Sequence, residues 1–208
     1  MTAPAAIGTL FLVRHGRTAA NRSTYVGWGD PPLDEVGTEQ AARLLDVLRG
    51  ERIDAIYSSP LQRALATARP LARAHQLELR VRPELAEIHY GDYQGLSKDA
   101  RPLKLRREHR REPMPRGESL FDLYRRVRGF GAELASTLRE GRRCIVVAHF
   151  WSNRMLAGWL QGAPFDAIVD APVYKPGNGS VLEVTCRATS EGFSVCGAEL
   201  RRDRGALS

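Results

Sequence analysis

Cysteine is scarce in this 208-residue chain: three residues, Cys144, Cys186 and Cys196, in no metal-ligand spacing and no disulfide framework. Cys144 is expected to pack inside a strand. Cys186 and Cys196 could oppose each other in a hairpin, but reduced thiols in a cytoplasmic protein are the expectation. No stretch approaches the roughly 18 apolar residues that a membrane helix needs. Met1 to Gly8 has neither a basic start nor a long apolar core, so no secretory signal is expected. Internal repeats and low-complexity linkers are missing, as is a carboxylate cluster suited to Mg²⁺. Lysine is sparse too, and the formal charge of +7 with pI near 9.8 rests mainly on arginine. That balance favours anionic partners without choosing among phosphates, nucleic acid and acidic surfaces.

The 43% hydrophobic content is ample for a core, and residues 1–208 read as a single domain. Thr9 to Val13 is too short for a helix and apolar on both faces, which suits a parallel strand covered on each side. It ends abruptly in Arg14-His15-Gly16. Ligands of open α/β sheets bind at the carboxyl ends of strands, where these residues would emerge, and Gly16 would let the chain turn and a ligand approach. Arg143 to Ala148 repeats the design and ends in His149. If the two strands were parallel neighbours, their tips would lie about 4.8 Å apart and both imidazoles could face one ligand.

The loop from Arg17 to Leu33, punctuated by Gly27-Trp28-Gly29-Asp30-Pro31-Pro32, is expected to form a lid or pocket wall, with Asn21 offering side-chain hydrogen bonds. An amphipathic helix is expected from an N-cap at Thr38 to a stop at Gly50. A second strand, Ile53 to Ser58, leads into a helix with Ser59 as N-cap and Pro60 at its first position. Arg63 in that opening turn opposes the helix dipole, which hints at an anion-binding task. Leu77 to Val81 reads as an edge strand. In the following loop a carboxylate beside apolar and aromatic neighbours would have a raised pKa, and Glu87 is preferred to Asp92 as that acid.

Lys98 to Arg116 is dense in arginine and reads either as a solvated face or as a mobile cap, a basic insertion around 97–118. It lacks the aromatic interleaving of a single-strand nucleic-acid platform. Ser119 is the expected N-cap of a helix reaching about Leu138, and Trp151 to Leu160 forms another. Gly177-Asn178-Gly179 turns into a strand from Val181, which pairs with Phe193 to Cys196 in a terminal hairpin, and the tail from Arg201 is expected to fray.

Two histidines, two arginines and one carboxylate at strand ends describe a phosphoryl site. Arginine forks match phosphate oxygens, a neutral imidazole can attack phosphorus, and a carboxylic acid can protonate the leaving oxygen. The cations fill the charge-stabilising role, so no metal is expected.

Arg14-His15-Gly16 with Thr18 and Asn21, Pro32-Leu33 with Gly37 and Gln40-Ala41, Ser58 to Ala64 with Thr67-Ala68, Glu87 to Gly91 with Gly95, and Ala148-His149 with Arg154 fall in an order that resembles the histidine phosphatase superfamily, also called phosphoglycerate-mutase-like. The resemblance spans Arg14 to about Ser180. It implies an α/β fold, a three-layer α/β/α sandwich with a mostly parallel central sheet. It also implies that His15 is phosphorylated, that Arg14, Arg63, His149 and Asn21 grip the phosphate, and that Glu87 handles the leaving-group proton. Gly16, Arg17 and Gly27 complete the expected substrate-binding set. Two departures stand out: Phe150 where the family usually has Gly after the second histidine, and Arg17 where an acidic or amide residue is common.

Three functions fit this reading. The first is a metal-independent, cytoplasmic phosphomonoesterase for small phosphorylated metabolites, working without a cofactor; compact length and Ala20 in place of the family's usual Trp favour it. The second is a phosphoglycerate mutase dependent on 2,3-bisphosphoglycerate, towards which Glu87 to Gly91 with Gln94-Gly95-Leu96 leans. The third is a binding or regulatory protein with weak catalysis, motivated by Phe150 and the basic segment. The expected partner is a small phosphorylated substrate, with no specific nucleic acid and no membrane; a homodimer is left open.

Overall fold

The structure, a computed structural model, describes residues 6–21, 23–98, 104–170, 174–190 and 192–201. Its centre is a six-stranded sheet. The strands are β1 (Ile7–Arg14), β2 (Ala55–Ser58), β3 (Leu79–Val81), β4 (Arg143–Ala148), β5 (Val181–Thr189) and β6 (Gly192–Arg201). They lie in the order β3-β2-β4-β1-β5-β6, with the first four mutually parallel and the last two antiparallel. The sheet is therefore the expected one, and β3 forms its edge.

Strand alternation explains why the central strands are apolar on both faces. Leu10, Leu12, Cys144, Val146 and Ala148 face one core. There they meet α4 (Leu120–Arg139), α5 (Phe150–Leu160) and α6 (Phe165–Asp170). Phe11, Val13, Ile145 and Val147 face the other core, against α1 (Glu35–Leu48) and α2 (Gln62–His75). The result is a three-layer α/β/α sandwich. Phe11 is wholly buried, and its truncation to Ala would cost roughly 3–5 kcal/mol.

Several boundaries differ from the sequence reading. The cap of α1 is Asp34, whose carboxylate accepts the Gly37 N–H, and Thr38 sits inside the helix as its fourth residue. The cap of α2 is Leu61 rather than Ser59, so Pro60 precedes the helix. Ser119 caps α4 as expected, in a reciprocal box with Asp122. The β5–β6 hairpin carries a bulge at Thr185/Cys186, which puts Cys186 opposite Val195 rather than Cys196. All three thiols are free, with Cys144 and Cys186 buried and Cys196 exposed. Arg201 is not frayed: it ends β6 and is ion-paired with Glu183 and Glu51, while 202–208 lie outside the described residues.

The described part of the basic segment is partly tied down and partly solvated, with Lys104, Arg106 and Arg107 exposed. Arg110 pairs with Asp166 and Asp170, Arg111 pairs with Asp166, and Met114 is buried. A one-turn helix, α3 (Leu105–Glu108), lies within it, and residues 99–103 fall outside the described set. No helix among the described residues is long and apolar enough to cross a membrane.

Candidate active site

Register brings the two histidines together. Arg14 pairs with Ala148 across the parallel β1–β4 ladder, and the His15 N–H donates to the Ala148 carbonyl at 3.0 Å. The next residues on each strand, His15 and His149, place their ring centroids 4.9 Å apart. The connection after β1 passes to α1 on one face of the sheet and the connection after β4 to α5 on the other, so a crevice opens between their carboxyl ends.

His15 is 2% exposed. Its Nδ1 lies 2.6 Å from the Gly16 carbonyl. A carbonyl only accepts, so Nδ1 carries the proton and Nε2 keeps its lone pair. Burial, reinforced by Arg63 and Arg14, holds its pKa well below the ordinary histidine value, so the ring is neutral at pH 7. His149, wholly buried, is held low by the same burial and by Arg63, His15 and Arg14. Its Nε2 lies 2.7 Å from Ser59 Oγ, which also accepts the Leu61 N–H. With the serine proton donated to Nε2, His149 presents a protonated Nδ1 that has no partner in the protein.

Arg63, 1% exposed, spends Nη1 and Nη2 on the Gly29 and Gly27 carbonyls, both at 2.7 Å. Arg14 donates Nη1 to the Pro176 carbonyl, and its guanidinium lies 5.6 Å from the Phe150 ring centre. The Nε of each arginine is buried and unpartnered. Burial lowers the pKa of both, which Glu87 partly offsets.

The Glu87 carboxylate, 8% exposed, accepts from Ile88 N at 3.0 Å and from Trp151 N at 3.2 and 3.3 Å. Desolvation nevertheless wins over these bonds and raises its pKa above the ordinary carboxylate value. Asp92, the other candidate acid, is ion-paired with Arg116 at the surface. Arg14, His15, Arg63 and Glu87 line one cavity of about 290 Å³, walled further out by Tyr25, Tyr90, Phe150, Trp151 and Lys98.

The remaining expected residues divide. Gly27 lines this cavity at φ +51, a conformation natural to glycine, and holds Arg63 through its carbonyl. Gly16 permits a close packing: a Cβ there would meet the Gly37 carbonyl at 2.3 Å, so its lack of a side chain lets the chain after β1 sit against α1. Arg17 turns away, with Nε on Asp34 at 2.7 Å. Asn21 ends a 3₁₀ turn, Ala19–Asn21, and its side chain lies outside the described residues. Phe150 does enter the pocket wall, over Arg14. Arg154, 2% exposed and with its pKa down to about 10 by burial, donates to the Ile168 and Val169 carbonyls rather than into the cavity.

Three supporting roles escaped the sequence reading, although Ser59 and Thr67 belong to its second motif. Ser59 orders His149. Thr67 Oγ1 accepts the Gly16 N–H and donates to the Arg63 carbonyl. Arg126 bonds the Glu118 carboxylate and, at 2.7–2.8 Å, the carbonyls of Glu84, Ala86 and Glu87, gripping the loop that carries the acid. Its sequence signal is position, three residues after Leu123 and four before Phe130, on the buried face of α4. Among the described residues no group of three or more His, Cys, Asp or Glu side chains could hold a metal ion.

Fold and constellation together define an α/β protein of the phosphoglycerate-mutase-like class. The family model of the histidine phosphatase superfamily (branch 1) matches residues 10–195, and the chain belongs to that superfamily. It is 33% identical over 183 residues to a phosphoglycerate mutase of Schizosaccharomyces pombe, covering 81% of this chain and 87% of the relative. It is 36% identical over 148 residues to phosphoserine phosphatase 1 of Hydrogenobacter thermophilus, covering 67% and 70%. Among solved structures it resembles mycobacterial glucosyl-3-phosphoglycerate phosphatase with TM-score 0.77 and 29% identity, over 93% of this chain and 97% of the other.

Proposed function

We propose that this protein is a phosphomonoesterase that hydrolyses small phosphorylated metabolites through a phosphohistidine. One observation carries the reading: a neutral His15 whose Nδ1 is tied to a carbonyl, leaving Nε2 nucleophilic beside the buried guanidinium of Arg63, the part-buried one of Arg14 and a carboxyl with a raised pKa. The phosphate sits against Arg14, Arg63 and the Nδ1–H of His149. The His15 Nε2 forms a bond to phosphorus as the ester P–O bond breaks, and Glu87 gives its proton to the departing oxygen. Water then attacks the phosphohistidine, Glu87 takes one of its protons, and the P–N bond breaks to release inorganic phosphate. The guanidiniums offset the charge spread over the equatorial oxygens, so the proposed cycle needs neither metal nor cofactor.

The test is phosphate release from phenyl phosphate. Activity should survive EDTA and be lost in His15→Ala; a requirement for added divalent metal refutes the mechanism. The mutase-named relative favours a second reading, in which the phosphohistidine returns its phosphate to substrate. Conversion of 3-phosphoglycerate to 2-phosphoglycerate in the presence of 2,3-bisphosphoglycerate, faster than phosphate release, would establish it instead.

A further inference from the structure

Next to the catalytic cavity lies a second one of about 410 Å³, and the two share a wall made by Tyr25, Tyr90 and Trp151. This wall is aromatic: the Tyr25 and Tyr90 rings lie 5.2 Å apart. The far rim carries Lys104, Arg106 and Arg107, all exposed. Arg110 and Arg111 of the same segment are neutralised by Asp166 and Asp170, whereas these three cations face no carboxylate within ion-pairing distance among the described residues. Arg106 also lies 5.8 Å from the Trp151 ring centre, which sets a positive charge over the aromatic wall. An aromatic floor with exposed cations at its outer edge suits a flat apolar group that ends in a negative charge.

We propose that the second cavity receives the leaving alcohol of the substrate, and that it selects monoesters whose alcohol has a planar or ring-shaped body bearing a second anionic group. The inference rests on the phosphatase reading for which end of the substrate reacts, but the subsite is measurable without turnover. Calorimetric titration with benzylphosphonate and 4-carboxybenzylphosphonate, which cannot be hydrolysed, compares ligands differing by one carboxylate. Two exposed charge pairs predict about five- to twentyfold tighter binding of the carboxylated compound. In the double variant R106Q/R107Q that ratio should fall to within about twofold of unity. In R43Q/R52Q, which removes the same formal charge from remote exposed positions, it should persist. Equal affinities in the unmodified protein, a ratio that survives in R106Q/R107Q, or equal loss in both double variants overturns the proposal. If the ratio behaves as expected but neither matching aryl phosphate is hydrolysed, the reaction assignment fails and the subsite stands.

Discussion

Replacing Arg126 tests whether the acid of this site is held in place from α4. The side chain makes contacts to both oxygens of Glu118 and to three carbonyls of residues 84–87, and both partners of the ion pair are only 19% exposed. In Arg126→Met the Glu118 carboxylate loses its cation and the carbonyls lose their donors. Breaking a mostly buried pair costs 3–5 kcal/mol, and the residual exposure argues for about 3 kcal/mol. For a chain of this size that lowers Tm by roughly 6–12 °C. Arg126→Lys keeps the charge near Glu118 but cannot span three carbonyls, so about 1–2 kcal/mol is lost. The catalytic effect should exceed what stability explains. A loosened loop displaces the Glu87 carboxyl, admits water and lets its pKa fall back. With phenyl phosphate, whose leaving group needs the proton, kcat of Arg126→Lys should drop at least about tenfold while KM moves little, since Arg14 and Arg63 are untouched. The alkaline limb of the kcat profile should move to lower pH. A folded Arg126→Met protein with wild-type kcat and an unmoved alkaline limb would refute the argument.

Other outcomes can be checked directly. Glu87 must be protonated to donate, so activity should fall as pH rises through its raised pKa. Glu87→Gln should remove that limb and slow phenyl phosphate hydrolysis roughly 10²–10⁴-fold, with a smaller loss on p-nitrophenyl phosphate, whose anion leaves unaided. His15 and His149 both have depressed pKa values. Below pH 6.5 the unfolded chain therefore binds protons that the native state refuses, and stability falls as pH drops, by up to about 1.4 kcal/mol per unit for each ring. Urea titrations between pH 7.5 and 5.5 in a Glu87→Gln background, which removes the opposing contribution of that carboxyl, should show this slope, and His149→Gln should reduce it by about half. Phe150→Gly frees Arg14 from its aromatic neighbour and should change KM for a small phosphate ester about two- to tenfold, while an unchanged KM denies the contact any role. A Cβ on Gly37 would meet the Arg17 carbonyl at 2.0 Å, whereas one on Gly50 meets nothing within 4 Å. Gly37→Ala should thus lower Tm sharply and Gly50→Ala leave it equal or slightly higher by calorimetry.

The sheet and its meeting histidines were legible because apolar runs on both faces demand covered parallel strands, and both runs end in histidine. The aromatic loop around Glu87 was legible too, although its pattern alone separates Glu87 poorly from Asp92. What hid was long-range. Thr38 and Asp34 are both acceptable caps; in the fold Asp34 accepts the Gly37 N–H and also holds Arg17, and the helix starts there. Arg17 looked like a ligand because nothing local shows that Asp34, seventeen residues on, takes its charge. Arg126 was one arginine among many on α4, and its task depends on a loop some forty residues upstream.

Three buried nitrogens at the crevice, the Nε atoms of Arg14 and Arg63 and the Nδ1 of His149, have no hydrogen-bond partner in the protein alone. Asp30, 3.6 Å from Arg63, and Glu87 offset the guanidinium charge only in part, so an oxyanion that pairs with these nitrogens acts as a folding ligand. Inorganic phosphate, the product of the proposed hydrolysis, would add about 2.7 kcal/mol to native stability at a hundred times its Kd. Under the proposed reaction the same affinity would make it a competitive inhibitor, so phosphate buffer should raise the melting temperature and lower apparent turnover.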